Sequence, residues 1–143
     1  MVDRPSIKES IQEYSRGVAG GLLFSLPVLY TMEVWVHGVT ASPARLAIGL
    51  VATFGLLCLY NAYAGLRENH TRTEILIDSV EELGIGLALS AGVLALLGRI
   101  GPQSTLIEGI GLTITQGCTT AIGVSVGTAQ LGADTPQREG TPS

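Results

Sequence analysis

Residues 17–38, GVAGGLLFSLPVLYTMEVWVHG, form an apolar run that is long enough to cross a lipid bilayer. An α-helix rises about 1.5 Å per residue, so this run would cover about 30 Å, the thickness of a hydrocarbon core. It exceeds the apolar core of a secretory signal peptide, although residues 39–41 leave cleavage open as a minor alternative. Pro27 removes a helical hydrogen bond. We therefore expect a transmembrane helix at residues 17–37 with a kink near Pro27.

The rest of the chain has the composition of a membrane protein. Only 14% of its residues are charged, against about 25% in soluble domains, and the mean hydropathy is +0.43. The charges cluster near the N-terminus, at residues 67–82 and in the tail, and the segments between them are nearly free of charge. The sequence predicts an all-α membrane protein, a bundle of about four transmembrane helices. Their expected bounds are 17–37, 43–64, 72–98 and 105–129.

Two terminal segments flank this predicted transmembrane domain at 17–130. Residues 1–16 have helical spacing of apolar side chains and are expected to form a cytoplasmic amphipathic segment, with a loosely ordered terminus as the alternative. Residues 131–143 are polar, contain Gly and Pro, and are expected to be a disordered tail.

Helix-start signals support these bounds. Ser42-Pro43 places a serine at an N-cap and a proline at the first helical position, where no amide is needed. Ser6/Glu9, Thr71/Glu74 and Thr105/Glu108 have the spacing of capping boxes. The last helix is rich in β-branched residues, which leaves a strand open as an alternative at 105–129.

Small residues recur every four positions and predict close, GxxxG-like helix packing. The candidate packing positions are Gly17, Gly21, Ser25, Gly84, Ala88, Gly92, Gly109, Gly117 and Ala121. Because three helices carry such faces, we expect a homo-oligomer or a partner membrane subunit.

Basic residues predict the orientation. With four spans, the N-terminus, residues 65–79 and the tail share one side, which holds six of the eight basic residues. Cytoplasmic segments of membrane proteins carry an excess of Lys and Arg. We therefore expect a multi-pass protein of the cell membrane with both termini in the cytoplasm.

Ionisable and polar residues within the spans are the candidate functional residues. Glu33, His37 and Tyr30 lie near the outer end of the first span, Glu108 near the outer end of the last, and Gln116 within the last. They suggest a polar outer vestibule on an ion or solute pathway. The alternatives are that Glu33 is an interfacial anchor and that Glu108 caps its helix.

Glu74, Asp78 and Glu82 recur every four residues on the predicted cytoplasmic side. Such an acidic stripe would suit a hydrated cation or a basic partner segment. The alternative is a solvated face of the third helix, with acids favoured near a helix N-terminus.

Other classes of function have no support in the sequence. Catalytic motifs, metal-ligand spacing and basic patches are absent from the sequence, so we expect no enzyme activity, no metal, no cofactor and no nucleic-acid partner.

Residues 20–35, GGLLFSLPVLYTMEVW, resemble an uncharacterised bacterial family of integral membrane proteins. The likeness centres on Leu26-Pro27 and on residues 30–35, and it continues through residues 84–87 and 121–129. The resemblance covers about residues 17–130 and implies a multi-span protein without an assigned activity. It also implies longer relatives, in which residues 131–143 would begin a central loop, so this chain would be a short form or an N-terminal half.

Two hypotheses of function follow. The first is a transport- or channel-like body with a polar outer vestibule around Glu33. The second is a structural or assembly subunit that packs against the transmembrane helices of a partner.

Overall fold

The computed structural model describes residues 6–29, 31–64 and 71–132. Within these ranges every regular element is an α-helix, which confirms the all-α fold and excludes the strand alternative for the last segment. The helices are α1 (Ile7–Leu29), α2 (Met32–Thr40), α3 (Pro43–Ala64), α4 (Arg72–Leu96) and α5 (Leu106–Gly132). Tyr30 and the predictions for residues 1–5, 65–70 and 133–143 fall outside the described residues.

The first predicted span needs correction. Residues 7–16, expected to be a separate segment, are the first part of α1, and residues 17–37 are divided between α1 and α2. The two helices are inclined at 93° to each other. Pro27 lies in the last turn of α1, where its ring and missing amide weaken the helix, and α1 ends two residues later. The expected kink is therefore a full break.

Two helices, α3 and α4, are long and apolar enough to span a bilayer, and α1 with α2 would add a third if the bent pair is one span. The expected four spans are not reproduced by this criterion. The fourth expected helix exists as α5, which contains several Thr, Gln and Gly residues and is not among the helices that meet this criterion.

α5 lies at the centre of the bundle and packs against each of the other four helices. Its closest neighbour is α1, which runs antiparallel to it. A methyl group on Gly20 would lie 2.5 Å from the carbonyl oxygen of Gly123 and 2.5 Å from Cα of Gly127. The backbones of α1 and α5 therefore touch where Gly20 meets Gly123-x-x-x-Gly127.

Two further close approaches position α2 and α4 on α5. A methyl group on Gly86 would lie 2.6 Å from Cα of Ala121, and one on Gly111 would overlap the carbonyl oxygen of Gly38. Small residues thus let α5 contact three neighbours at backbone distance, which is the usual way for helices to associate where lipid removes the hydrophobic driving force.

The predicted packing positions divide into two groups. Most of them contact another helix or the turn before α5: Gly17, Gly21, Ser25, Gly109, Gly117 and Ala121. The other three, Gly84, Ala88 and Gly92, lie on an exposed face of α4, and added methyl groups at the two glycines would meet no heavy atom within 4 Å.

Candidate functional site

A cavity of about 240 Å³ lies between α2, the turn that joins α4 to α5, and the first turns of α5. We refer to it as the Arg99–Glu108 cavity, and we call the end of the bundle that holds it the cavity end. Its polar side chains are Arg99, Ser104 and Glu108, and its less polar wall consists of Trp35, Val39, Leu94 and Leu112.

The end of α4 fixes the position of Arg99. Gly98 has a φ of +68°, the left-handed conformation that glycine adopts without strain. The Gly98 amide donates to the Ala95 carbonyl at 3.0 Å and the Arg99 amide to the Leu94 carbonyl at 2.8 Å, which is the Schellman arrangement. The Arg99 guanidinium then lies over the Trp35 ring, 3.5 Å from its centroid. Arg99 is thereby held in the lining of the cavity.

Glu108 both caps α5 and lines the cavity. Its Oε2 accepts a hydrogen bond from the Thr105 amide at 3.2 Å, and its own amide donates to Thr105 Oγ1 at 3.4 Å. A carboxylate is also favoured at this place by the partial positive charge of the helix N-terminus. The capping interpretation of Glu108 therefore describes a real contact, and it leaves the second carboxylate oxygen available to the cavity.

Glu33 and His37 lie outside the cavity lining. Both are exposed on α2, and Nδ1 of His37 is 3.2 Å from the backbone carbonyl oxygen of Glu33. The structure thus places the predicted neighbours together, but it puts Glu108 rather than Glu33 in the cavity.

Gln116 lies in the centre of the bundle and is 1% exposed. Its Nε2 donates to the Ser25 carbonyl at 3.0 Å, close to the end of α1. Its Oε1 is buried and has no partner in the part of the chain that the structure describes. One turn further along α5, Thr120 Oγ1 donates to the Gln116 carbonyl at 2.9 Å and lies 2.8 Å from Ser90 Oγ. Ser25, Ser90, Gln116 and Thr120 form what we call the central polar layer.

A second polar group lies between the central polar layer and the opposite end of the bundle. Asn61 Nδ2 donates to Glu82 Oε2 at 2.9 Å and to Ser79 Oγ at 3.1 Å, which joins α3 to α4. Ser125 is 2% exposed, and its hydroxyl lies beside the Glu82 carboxylate without the geometry of an ordinary hydrogen bond. We call these four residues the Glu82 cluster.

The predicted acidic stripe is not one unit. The Glu74 carboxylate accepts from the Thr71 amide at 3.1 Å and caps α4, whereas Glu82 is half-buried and bonded to Asn61. Asp78 is also half-buried and has an interaction of its own. Glu74 has a capping role, and the hydrogen bond from Asn61 on α3 makes Glu82 the member with functional interest.

An apolar layer separates the cavity from the central polar layer. Leu94 and Leu112 are 1% and 8% exposed and pack with Trp35, Val93 and Ile100. On both α4 and α5, these leucines lie one turn from the polar residues Ser90 and Gln116. The order along the bundle is therefore cavity, leucine layer, central polar layer and Glu82 cluster.

Among the described residues, no three His, Cys, Asp or Glu side chains are close enough to hold a metal ion. Cys58 and Cys118 are free thiols.

Comparison with protein families assigns the chain. The profile described as "Putative integral membrane protein (DUF2391)" matches residues 13–143. The chain belongs to this family. The assignment agrees with the resemblance found in the sequence and with the apolar helices of the structure, so the protein is an integral membrane protein. Neither the curated proteins nor the solved structures contain a match to it.

Sequence reasoning missed several members of the site. The sequence prediction counts Arg99 only among the basic residues of the outer side, and it does not place Trp35, Asn61, Ser90 or Ser125 in the candidate site. Ser90 and Leu94 lie on one face with Ser79 and Gly86, at helical spacing, and this pattern could have been detected. The meeting of Arg99 with Trp35 depends on the break between α1 and α2, which the sequence did not predict.

Proposed function

We propose that this protein is a transport- or channel-like body in which a small solute or ion crosses the membrane between α1, α4 and α5. The observation that carries the proposal is the series of polar groups inside the bundle, from the Arg99–Glu108 cavity through the central polar layer to the Glu82 cluster. Polar side chains in membrane helices are costly, face the interior, and often mark a pathway.

The length of the series supports a pathway across the bilayer. Glu108 and Ser125 are separated by 17 positions on one helix, which corresponds to about 25 Å at ~1.5 Å per residue. A hydrocarbon core is about 30 Å thick. Gln116 lies near the middle of this distance, and its unpartnered Oε1 offers an acceptor to a passing solute or water molecule.

In this proposal the leucine layer is the closed gate. Leu94 and Leu112 fill the space between the cavity and the central polar layer, so a solute could pass only if α4 and α5 separate there or if α2 moves away. The vestibule is placed at Arg99 and Glu108 rather than at Glu33.

The same proposal places the cavity end outside the cell. Lys8, Arg16 and Arg72 lie at the opposite end of the bundle, whereas Arg45 and Arg99 lie at the cavity end, so both termini would be cytoplasmic. In a background without Cys58 and Cys118, a membrane-impermeant maleimide should label Ser104→Cys in intact cells and spare Thr71→Cys. If only Thr71→Cys were labelled, the protein would have the opposite orientation in the membrane.

The transport proposal is tested with purified protein in lipid vesicles. Protons, Na⁺ and radiolabelled L-leucine serve as probes of three solute classes, and protein-free vesicles give the background. We expect flux of at least one probe above background and its loss in Gln116→Leu, with Ile48→Leu, an exposed position on α3, as the control. The proposal would be contradicted if the flux of all three probes stayed at the background level, or if Gln116→Leu conducted as well as the wild type.

A second candidate function is that of an assembly subunit, and the exposed small-residue face of α4 favours it. Gly84, Ala88 and Gly92 are open to a neighbouring helix, which could approach closely there. Gly84→Leu and Gly92→Leu should then reduce the size of the complex in mild detergent, while Val51→Leu on exposed α3 should not. An unchanged size in both glycine variants would count against assembly through this face.

A further inference from the structure

The Arg99–Glu108 cavity contains two opposite charges that do not pair with each other. The contact of the Arg99 guanidinium is the Trp35 ring, and the side-chain contacts of Glu108 are with Thr105. No ion pair joins the two residues in the described structure, although both line one cavity. A cation and an anion thus face a shared space, each with bonding capacity left over.

The remaining bonding capacity of Arg99 suits a carboxylate. Stacking on Trp35 occupies one face of the guanidinium and leaves the N–H groups in its plane free to donate. Guanidinium donors match the two oxygens of a carboxylate in spacing and direction. The Schellman turn holds the backbone of Arg99 and the Trp35 ring holds its guanidinium, so the group is positioned before a ligand arrives.

Glu108 offers the complementary group. One carboxylate oxygen accepts from the Thr105 amide, and the other can accept from an ammonium group. A simple anion in this cavity would be attracted by Arg99 and repelled by Glu108. A simple cation would be attracted by Glu108 and repelled by Arg99. A ligand that carries both charges satisfies both residues.

The remaining lining and the volume of the cavity determine the size and polarity of the ligand that fits. Its aliphatic wall, Val39, Leu94 and Leu112, would contact an apolar substituent. The volume of about 240 Å³ is many times the ~30 Å³ that one water molecule occupies in the liquid, so the space admits a small organic molecule.

We propose that the Arg99–Glu108 cavity binds a small zwitterion with an aliphatic substituent, of the α-amino acid type, with its carboxylate on Arg99 and its ammonium on Glu108. This inference rests on the proposed function in so far as the bound molecule is the solute that crosses the bundle. Binding itself requires no transport.

The test is calorimetric titration of the purified full chain in detergent with three probes. L-leucine carries both charges, 3-methylbutylamine lacks the carboxylate, and 4-methylpentanoate lacks the ammonium. We expect L-leucine to bind at least about tenfold more tightly than either truncated probe, since each lost charge leaves Arg99 or Glu108 without its partner. Equal affinities, or no binding of L-leucine up to about 10 mM, would overturn the proposal.

Matched variants assign the charges. Glu108→Gln keeps a side chain that can complete the capping box but removes the negative charge, so it should weaken L-leucine binding about tenfold and strengthen the binding of 4-methylpentanoate, which Glu108 repels. Arg99→Gln should weaken L-leucine binding likewise and strengthen the binding of 3-methylbutylamine, and Arg99→Lys should reverse part of both changes. Glu33→Gln and Arg45→Gln, exposed and outside the cavity lining, are the controls.

The two proposals fail in different experiments. Normal L-leucine binding without flux of any probe would remove the transport function and keep the binding site. Flux of protons or Na⁺ that depends on Gln116, together with no selective L-leucine binding, would keep the pathway and remove the zwitterion site.

Discussion

Gln116 and Ser25, which are 91 positions apart in the sequence, are joined by a hydrogen bond of 3.0 Å from the Gln116 side-chain amide to the Ser25 carbonyl. This bond ties the middle of α5 to the last turns of α1, next to the break caused by Pro27. The bond is buried within the bundle, because both residues are at most 2% exposed. The contact therefore couples the position of the α1–α2 break to the central polar layer.

We predict that Gln116→Leu lowers the free energy of unfolding by about 1 kcal/mol, the usual net contribution of one buried hydrogen bond. Leucine has a similar volume, so packing should change little. The measurement is unfolding of purified protein in mixed micelles at increasing fractions of SDS. Gln12→Leu, an exposed glutamine on α1, should unfold like the wild type. Equal stability of the two variants would show that Gln116 gives no net stabilisation over leucine at this position.

The contact of α1 with α5 gives a second prediction. A methyl group on Gly127 would lie 2.6 Å from Cα of Gly20 and 2.9 Å from the Arg16 carbonyl oxygen, so Gly127→Ala should force the helices apart and cost about 1–3 kcal/mol. Gly92→Ala adds the same methyl group in open space and should be neutral or stabilising, because alanine favours helix by up to about 1 kcal/mol. The comparison uses the same SDS titration. Similar losses in both variants would mean that α1 and α5 are not in backbone contact.

The fold class was predictable because local signals dominate it. Apolar runs of about 20 residues predict spanning helices, and Thr71/Glu74 and Thr105/Glu108 begin α4 and α5 through the hydrogen bonds expected of capping boxes. Pro43 begins α3 for the same local reason.

The sequence does not predict how sharply the chain bends between α1 and α2. A proline in an apolar run produces either a mild kink or an end of the helix, and the choice depends on what packs beside it. Here Gly38 meets Gly111, so α2 is held across α5 by a contact between residues 73 positions apart. No local pattern in the sequence contains that contact.

The candidate site likewise combines one residue that local sequence signals identify with others that only tertiary contacts bring to it. Glu108 was recognisable from its spacing to Thr105, but its cavity also needs Arg99 from the α4–α5 turn and Trp35 from α2. From the sequence, Glu33 and Glu108 are both candidates because each lies about one turn from the end of an apolar segment, and the vestibule is predicted around Glu33. The orientation of α2 separates them, and this orientation is a tertiary property.

Asn61 and Glu82 give a third prediction. The hydrogen bond of 2.9 Å from Asn61 to the Glu82 carboxylate is a direct side-chain link between α3 and α4. In a double-mutant cycle with Asn61→Ala and Glu82→Ala, the coupling energy should be about 1 kcal/mol, within the range measured for bonds between membrane helices. As a control, Asn61→Ala with Glu108→Ala, at the other end of the bundle, should be additive. Additivity in the first pair would show that the two side chains do not interact.

The leucine layer gives the last prediction, which concerns both stability and flux. Leu94→Ala removes a side chain that is 1% exposed and should cost about 2–5 kcal/mol in the SDS titration, because the space left behind is only partly refilled. Leu96→Ala makes the same change two positions away, where the side chain is 89% exposed, and should leave stability nearly unchanged. If Leu94 is also part of a closed gate, vesicles with Leu94→Ala should conduct a permeant probe faster than wild type at equal amounts of folded protein. A loss of stability without faster flux would assign Leu94 to packing alone, whereas faster flux in Leu94→Ala and not in Leu96→Ala would place the barrier between the cavity and Gln116.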